Sequence, residues 1–248
     1  MDKDVLNSTL GALEIGILVS YMLFGVTTTQ TYIYYNRFPD DSLKLKALVA
    51  FVLICESGHA ICIGHGLYTY TIMDYGHPER IAAALPKSFL VGAFFSNAVS
   101  ACVQGFFIFR ANVLTKKPYI FFIISGMMFL RLLANSAVYS LAFGMTLLVP
   151  FEKQWGWLLI AGLIISTTVD VAIAAILVVS LRIQSRGVRK RTAALVDRLI
   201  AWTIETALIT SMSTIVTFIC FITMEHSFVW LAIFTVSTRR DIFKLITG

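Results

Sequence analysis

Apolar residues run for twenty or more positions at a time along this chain, and short polar segments separate the runs. The runs are Leu10–Tyr35, Ala47–Ile72, Ser88–Phe109, Tyr119–Phe143, Trp155–Leu181, Leu199–Met224 and a shorter Ser227–Val236. A helix needs about 20 apolar residues to cross the hydrocarbon of a bilayer. Each of the first six runs is too long for a membrane strand and lacks strict alternation, so each predicts a helix. The pattern predicts an all-α fold: a polytopic transmembrane helical bundle forming one domain over residues 1–248. Its seven spans fall near 10–35, 47–72, 88–109, 119–143, 155–181, 199–224 and 227–247. The seventh is short. Only about ten apolar residues precede Ser237-Thr238-Arg239-Arg240, roughly half a crossing. Three endings fit: a helix completed by Asp241–Thr247, a truncated chain, or an amphipathic end lying on the membrane surface.

Small residues recur every four positions on two of the runs: Ala12, Gly16 and Ser20 on the first, and Gly58, Cys62 and Gly66 on the second. That spacing lets helix backbones approach closely. It is a packing device and carries no functional information.

Polar positions between the runs set the orientation. The segments after the first, third and fifth runs and the C-terminal tail carry Arg37, Lys44, Lys46; Arg110, Lys116, Lys117; Arg182, Arg186, Arg189, Lys190, Arg191, Arg198; and Arg239, Arg240, Lys244. Against these fifteen stand four on the other side: Lys3, Arg80, Lys87 and Lys153. The bias predicts an outside N-terminus, a cytoplasmic C-terminus and an odd number of spans. Aromatic residues at the run ends agree, with Tyr32, Tyr34 and Tyr35 closing the first and Trp155 and Trp157 opening the fifth.

Composition reinforces the membrane class. Hydrophobic residues make up 58% of the chain and charged residues 14%, against ~25% charged in soluble domains. The net charge of +6 is explained by the topology bias, and no nucleic-acid site is predicted. Cys55, Cys62, Cys102 and Cys220 all lie inside apolar runs, which fits buried thiols acting as small apolar side chains. The start, Met1-Asp2-Lys3-Asp4, lacks the basic n-region of a cleavable signal, so the first helix is expected to target the chain. The sequence places the protein in a membrane, plasma or internal.

An ordered set of motifs carries a resemblance. The first run ends in Thr28-Thr29-Gln30-Thr31-Tyr32-Ile33-Tyr34-Tyr35, followed by Arg37-Phe38-Pro39-Asp40-Asp41. The second ends His65-Gly66-Leu67-Tyr68. Then come Tyr75-Gly76-His77-Pro78, Gln104-Gly105-Phe106-Phe107-Ile108-Phe109-Arg110, Asp170 and Gln184-Ser185-Arg186-Gly187. Over residues 8–215 the set resembles a family of seven-helix integral membrane proteins abundant in mushroom-forming fungi, whose members are mostly uncharacterised. The resemblance implies a fold and no substrate or reaction. The family pattern closes with a full seventh helix and an Asn-Ser-Leu-Leu-like segment leading to Leu-Asn-Ala-Arg. This chain reads Phe234-Thr235-Val236-Ser237-Thr238-Arg239-Arg240-Asp241, which leads to the expectation of a truncated or mis-spliced C-terminus.

Candidate chemistry lies in the polar residues inside the runs: Glu14, Glu56, His59, His65, Asn97, Gln104, Arg131, Asn135, Asp170 and Glu205. A charge at the bilayer centre costs at least ~2.5 kcal/mol, so such residues pair or serve a site. Glu56, His59, Asn97, Gln104, Arg131, Asn135 and Asp170 are the candidate polar core. Arg131 and Asp170 have similar depths on consecutive helices and are expected to face each other. A pair that fixes helix register is the favoured reading of the two. Glu56 and His59 lie three apart on one face, with Cys62 continuing it. Glu-x-x-His occurs in carboxylate-bridged metal bundles, but those need a second copy. None is present, so neither a metal nor a cofactor is expected. A proton-sensitive pair fits better, and plain interhelical hydrogen bonding fits best. Glu14 and Glu205 lie near span ends, where a carboxylate can snorkel. The Thr27–Thr31 segment fits a cavity-lining face or hydroxyls bonded to their own helix, the second being the commoner case.

Three function classes remain. A receptor-like or sensor-like protein binding an unknown small molecule fits the predicted topology and polar core best, although fold does not establish function. A small-molecule transporter is second; no internal repeat supports it. A membrane-embedded lipid- or terpenoid-modifying enzyme is third, and Glu56, Asp170 and Glu205 would be its acids. An opsin-like pigment is disfavoured, since no lysine lies inside a run. Expected partners are membrane lipids, including anionic lipid at the Arg182–Arg198 linker.

Overall fold

The structure is a computed structural model of the 248-residue chain. It describes residues 10–75, 77, 85–115, 118–144 and 229–237, together with short runs and single positions between 160 and 223. Among the described residues the regular elements are all helical: α1 Ala12–Arg37, α2 Leu43–Tyr68, α3 Lys87–Thr115, α4 Pro118–Gly144 and α5 Val229–Ser237. One π-helical turn, Thr69–Met73, prolongs α2.

Four helical stretches are long and apolar enough to cross a membrane: Ala12–Arg37, Leu43–Met73, Lys87–Phe106 and Phe121–Gly144. The 26 residues of α1 rise about 39 Å, more than the ~30 Å of bilayer hydrocarbon. Polarity is inverted relative to a soluble helix. On α1, Ile15 is 65% exposed and Met22 74%, while Ser20, Thr27 and Thr31 are buried. In water such an apolar outer surface would be a liability. In lipid it is the natural arrangement, and the polar groups turn inward. The described helices are those of a membrane-embedded protein.

The helices outrun the apolar runs. α2 begins at Leu43 rather than Ala47 because Ser42 caps it, its hydroxyl accepting the Leu45 N–H at 3.4 Å. Lys44 and Lys46 therefore belong to its first turn. α3 continues past Phe109 through Arg110 to Thr115. Hydropathy marks only the part of a helix suited to hydrocarbon, whereas backbone hydrogen bonding continues into the polar interface.

A hydrogen-bonded corner joins α1 to α2. The Tyr34 hydroxyl donates to Asp41 Oδ2 at 2.7 Å, and Asp41 Oδ1 accepts from the Ser42 N–H at 2.9 Å. The Tyr35 hydroxyl donates to the Lys46 carbonyl at 2.7 Å, and Lys46 Nζ donates to the Pro39 carbonyl. The Phe38 N–H closes α1 on the Tyr34 carbonyl. Much of the Tyr34-to-Asp41 motif thus builds this turn.

Neighbours follow one another: α5 packs on α1, α1 on α2, α2 on α3 and α3 on α4. Leu13, Ile17, Ile63, Tyr70, Phe89 and Leu231 form one apolar cluster joining α1, α2, α3 and α5. Val52, Cys55, Val99 and Val103 form a second between α2 and α3. Ile108, Ile124 and Val169 form a third beside α3 and α4. The small-residue stripes act in two ways. A Cβ on Gly16 would lie 2.6 Å from the Ala232 Cβ, so glycine permits the close approach of α1 and α5. A Cβ on Gly66 would lie 2.5 Å from Phe89 Cε2, so that glycine is a socket for an aromatic ring of α3.

Candidate functional site

Two ionisable side chains are buried at the middle of α2. Glu56 is 1% exposed and His59 2%. Their spacing places both on one helical face. That face meets α3, where His59 Nδ1 lies 2.9 Å from the Gly92 carbonyl oxygen. A carbonyl only accepts, so Nδ1 carries a proton, and in the neutral form of the ring Nε2 is the basic nitrogen. A backbone carbonyl has two lone pairs, so Gly92 can take the imidazole N–H beside its helical bond. Cys62 Cβ and Ile63 Cγ2 lie alongside, at 3.4 and 3.7 Å from the position of a Cβ on Gly92.

The polar contacts continue to α4. Asn135 Nδ2 donates to Asn97 Oδ1 at 3.4 Å. Phe94 meets Tyr139 edge-on at 5.6 Å, Lys87 Nζ lies 5.3 Å from the Phe143 ring centre, and Ile108 clusters with Ile124. α3 and α4 are therefore antiparallel. Interpolating between these pairs puts the half-buried Arg131, at the midpoint of α4, level with the Ala101–Gln104 turn of α3. Asn135 lies one turn away on the same face. Ser96 of α3 is also buried, one turn beyond Gly92. Glu56, His59, Ser96, Asn97, Asn135 and Arg131 form a polar layer about 14 Å deep spread over three helices, with Glu56, His59 and Ser96 buried and the other three half-buried.

The remaining candidates separate from this layer. Gln104 is half-buried on α3. Glu14 is exposed in the first turn of α1, and His65 is exposed on α2. Asp170, the expected partner of Arg131, and Glu205 lie outside the described residues, as does the Arg182–Arg198 linker, Arg182 apart. The Thr27, Thr28, Thr29 and Thr31 hydroxyls all donate to carbonyls one turn back on α1. That is the commoner of the two readings of this segment, and it makes the hydroxyls self-satisfied within the helix. Among the described residues, no three His, Cys, Asp or Glu side chains come together to hold a metal ion.

Sequence reasoning missed two partners. One is the Gly92 carbonyl, because a backbone group has no sequence signature. Ser88, Gly92, Ser96 and Ser100 do recur every four residues on α3, and Gly92 in that stripe lies against Cys62, His59 and Ile63 of α2. The other is Tyr21, whose hydroxyl donates to the Ala60 carbonyl at 3.0 Å and ties α1 to α2 at the residue after His59.

A family of unknown function (DUF6534) matches residues 166–240. The chain is similar to that family over this C-terminal part, which includes α5. No curated protein and no solved structure matches the chain.

Proposed function

We propose that this protein is a multi-pass integral membrane protein of receptor-like or sensor-like type, with seven spans, an outside N-terminus and a cytoplasmic C-terminus. The observation that carries the reading is the buried polar layer. Glu56 and His59 are withdrawn from both water and lipid, and the His59 imidazole ties α2 to α3. Burying ionisable groups in a membrane is costly, and such groups serve a site by default. The fifteen-to-four distribution of basic residues supports the orientation. α5 supports a seventh helix, since Leu231, Ala232 and Thr235 are buried against the rest of the bundle.

Two measurements test the reading. Tags on each terminus, probed by protease in sealed vesicles, should be cut from outside at the N-terminus only. An accessible cytoplasmic N-terminus would reverse the orientation, and an external C-terminus would remove the seventh span. Native mass spectrometry of protein purified in mild detergent should show a retained small molecule that Glu56→Gln releases. A molecule chemically altered during incubation would instead support the enzyme class. Binding unaffected by Glu56→Gln would take the polar layer out of the site.

A further inference from the structure

We propose that Glu56 and His59 form a proton-binding site, so that the polar layer senses the proton alongside the small molecule it retains. The inference rests on the sensor reading and deepens it. Its basis is geometric. The Gly92 carbonyl holds the Nδ1–H of His59, which fixes the tautomer and leaves Nε2 as the nitrogen that accepts a proton. One turn earlier on the same face, the buried Glu56 supplies the negative charge that offsets an imidazolium. Uptake forms one bond, Nε2–H, with the proton drawn from water, and it breaks no bond to Gly92. The helix-to-helix tie thus persists while the charge of the layer rises by one.

The surroundings accommodate both states. α2 itself brings Cys55 and Cys62 beside the pair, neutral thiols in an apolar wall. α1 brings Tyr21, engaged with the Ala60 carbonyl. α3 brings Cys102, packed beside Cys55, and Lys87 at its far end, over the Phe143 ring. α4 brings the half-buried Arg131, level with the Ala101–Gln104 turn of α3 and so two or more turns from the level of His59. α5 contributes no ionisable side chain. Of the side-chain types in this set, the imidazole is the one whose unperturbed titration falls in the physiological range.

The test is nitrogen-15 NMR of histidine-labelled, full-length protein in nanodiscs. His65→Gln, His77→Gln and His226→Gln remove the other three imidazoles, leaving His59 alone. At alkaline pH the spectrum should show a protonated Nδ1 and a bare Nε2. On acidification the ring should become doubly protonated in one step, and Glu56→Gln should move that step about 1 pH unit or more toward acid. A ring that stays neutral down to pH ~4, or a step that Glu56→Gln leaves in place, overturns the proposal. If Glu56→Gln does not fold, His59→Asn supplies the comparison, because its amide reproduces the Nδ1 donor without a titrating nitrogen. The melting temperature of the parent should vary over roughly pH 5–8, and that of His59→Asn should not. Matching profiles overturn the proposal. Topology and retained-molecule measurements do not depend on this titration, so failure of the sensor reading and failure of the proton site are told apart.

Discussion

Tyr34 and Asp41 show how single residues shape the chain at the membrane edge. Their 2.7 Å hydrogen bond joins the end of α1 to the turn before α2. Tyr34→Phe should cost about 1 kcal/mol, the net worth of a typical hydrogen bond. Asp41→Asn should cost a similar amount, and the double substitution should cost little more than either alone. Thermal unfolding in one detergent measures all three, and strictly additive losses would show that the two side chains act independently. A second residue-scale test concerns Arg131. If Asp170 is its partner across the fourth and fifth runs, Asp170→Asn should destabilise by roughly 3–5 kcal/mol. Arg131→Met combined with Asp170→Leu should recover most of the loss. No recovery in the double variant would separate the two charges. Legibility at this scale divides sharply. The sequence singles out Glu56 and His59 because an acid and an imidazole inside an apolar run are conspicuous. Their acceptor on α3 escapes because it belongs to the backbone. The threonines of α1 are as conspicuous as Glu56, yet each hydroxyl bonds to its own helix, an outcome the pattern alone leaves open.

Elements are more legible than contacts. Each described long helix overlaps an apolar run, because twenty consecutive apolar residues in lipid leave only a helix to satisfy the backbone. The ends differ, since Ser42 and the interfacial lysines extend α2 on grounds that hydropathy ignores. Four-residue small stripes are visible in the chain, but their use is not. Gly16 receives a helix and Gly66 receives a ring, and the spacing is the same for both. Gly16→Leu is expected to push α5 from α1, because its first side-chain carbon already meets Ala232. Overpacking of this kind costs typically 1–3 kcal/mol. Cysteine cross-linking between Ser20 and Val236, one turn along from Gly16 and Ala232, should succeed in the parent and fail in Gly16→Leu. Equal cross-linking in both would remove the close contact.

For the whole molecule, lipid is the solvent that the surface demands. Met22, exposed near the middle of α1, distinguishes lipid from water. Met22→Lys should impair insertion by roughly 2.5–3.5 kcal/mol, the cost of lysine at a helix centre. On a water-exposed surface the same change would fall within about 0.5 kcal/mol. Yield in the membrane fraction and melting in detergent measure the difference, and an unaffected variant would place α1 outside the bilayer. The membrane class was readable from composition and run length. The function was not, because receptors, transporters and membrane enzymes share this architecture.

The acceptor of the His59 hydrogen bond has one more consequence. It is a main-chain oxygen, and every amino acid supplies one at position 92. A saturation library covering α3 would therefore leave the oxygen itself in every clone. The acceptor itself is invisible to side-chain genetics, and a loss at position 92 would report crowding against Cys62 and His59 rather than a missing oxygen. A geneticist would read a pair as a solitary histidine. Replacing the amide that follows Gly92 by an ester would expose it, since an ester carbonyl is a poorer hydrogen-bond acceptor than an amide carbonyl. Shifting the backbone, by inserting one residue before Gly92 and rotating the carbonyl out of register, would uncover the hidden partner as well.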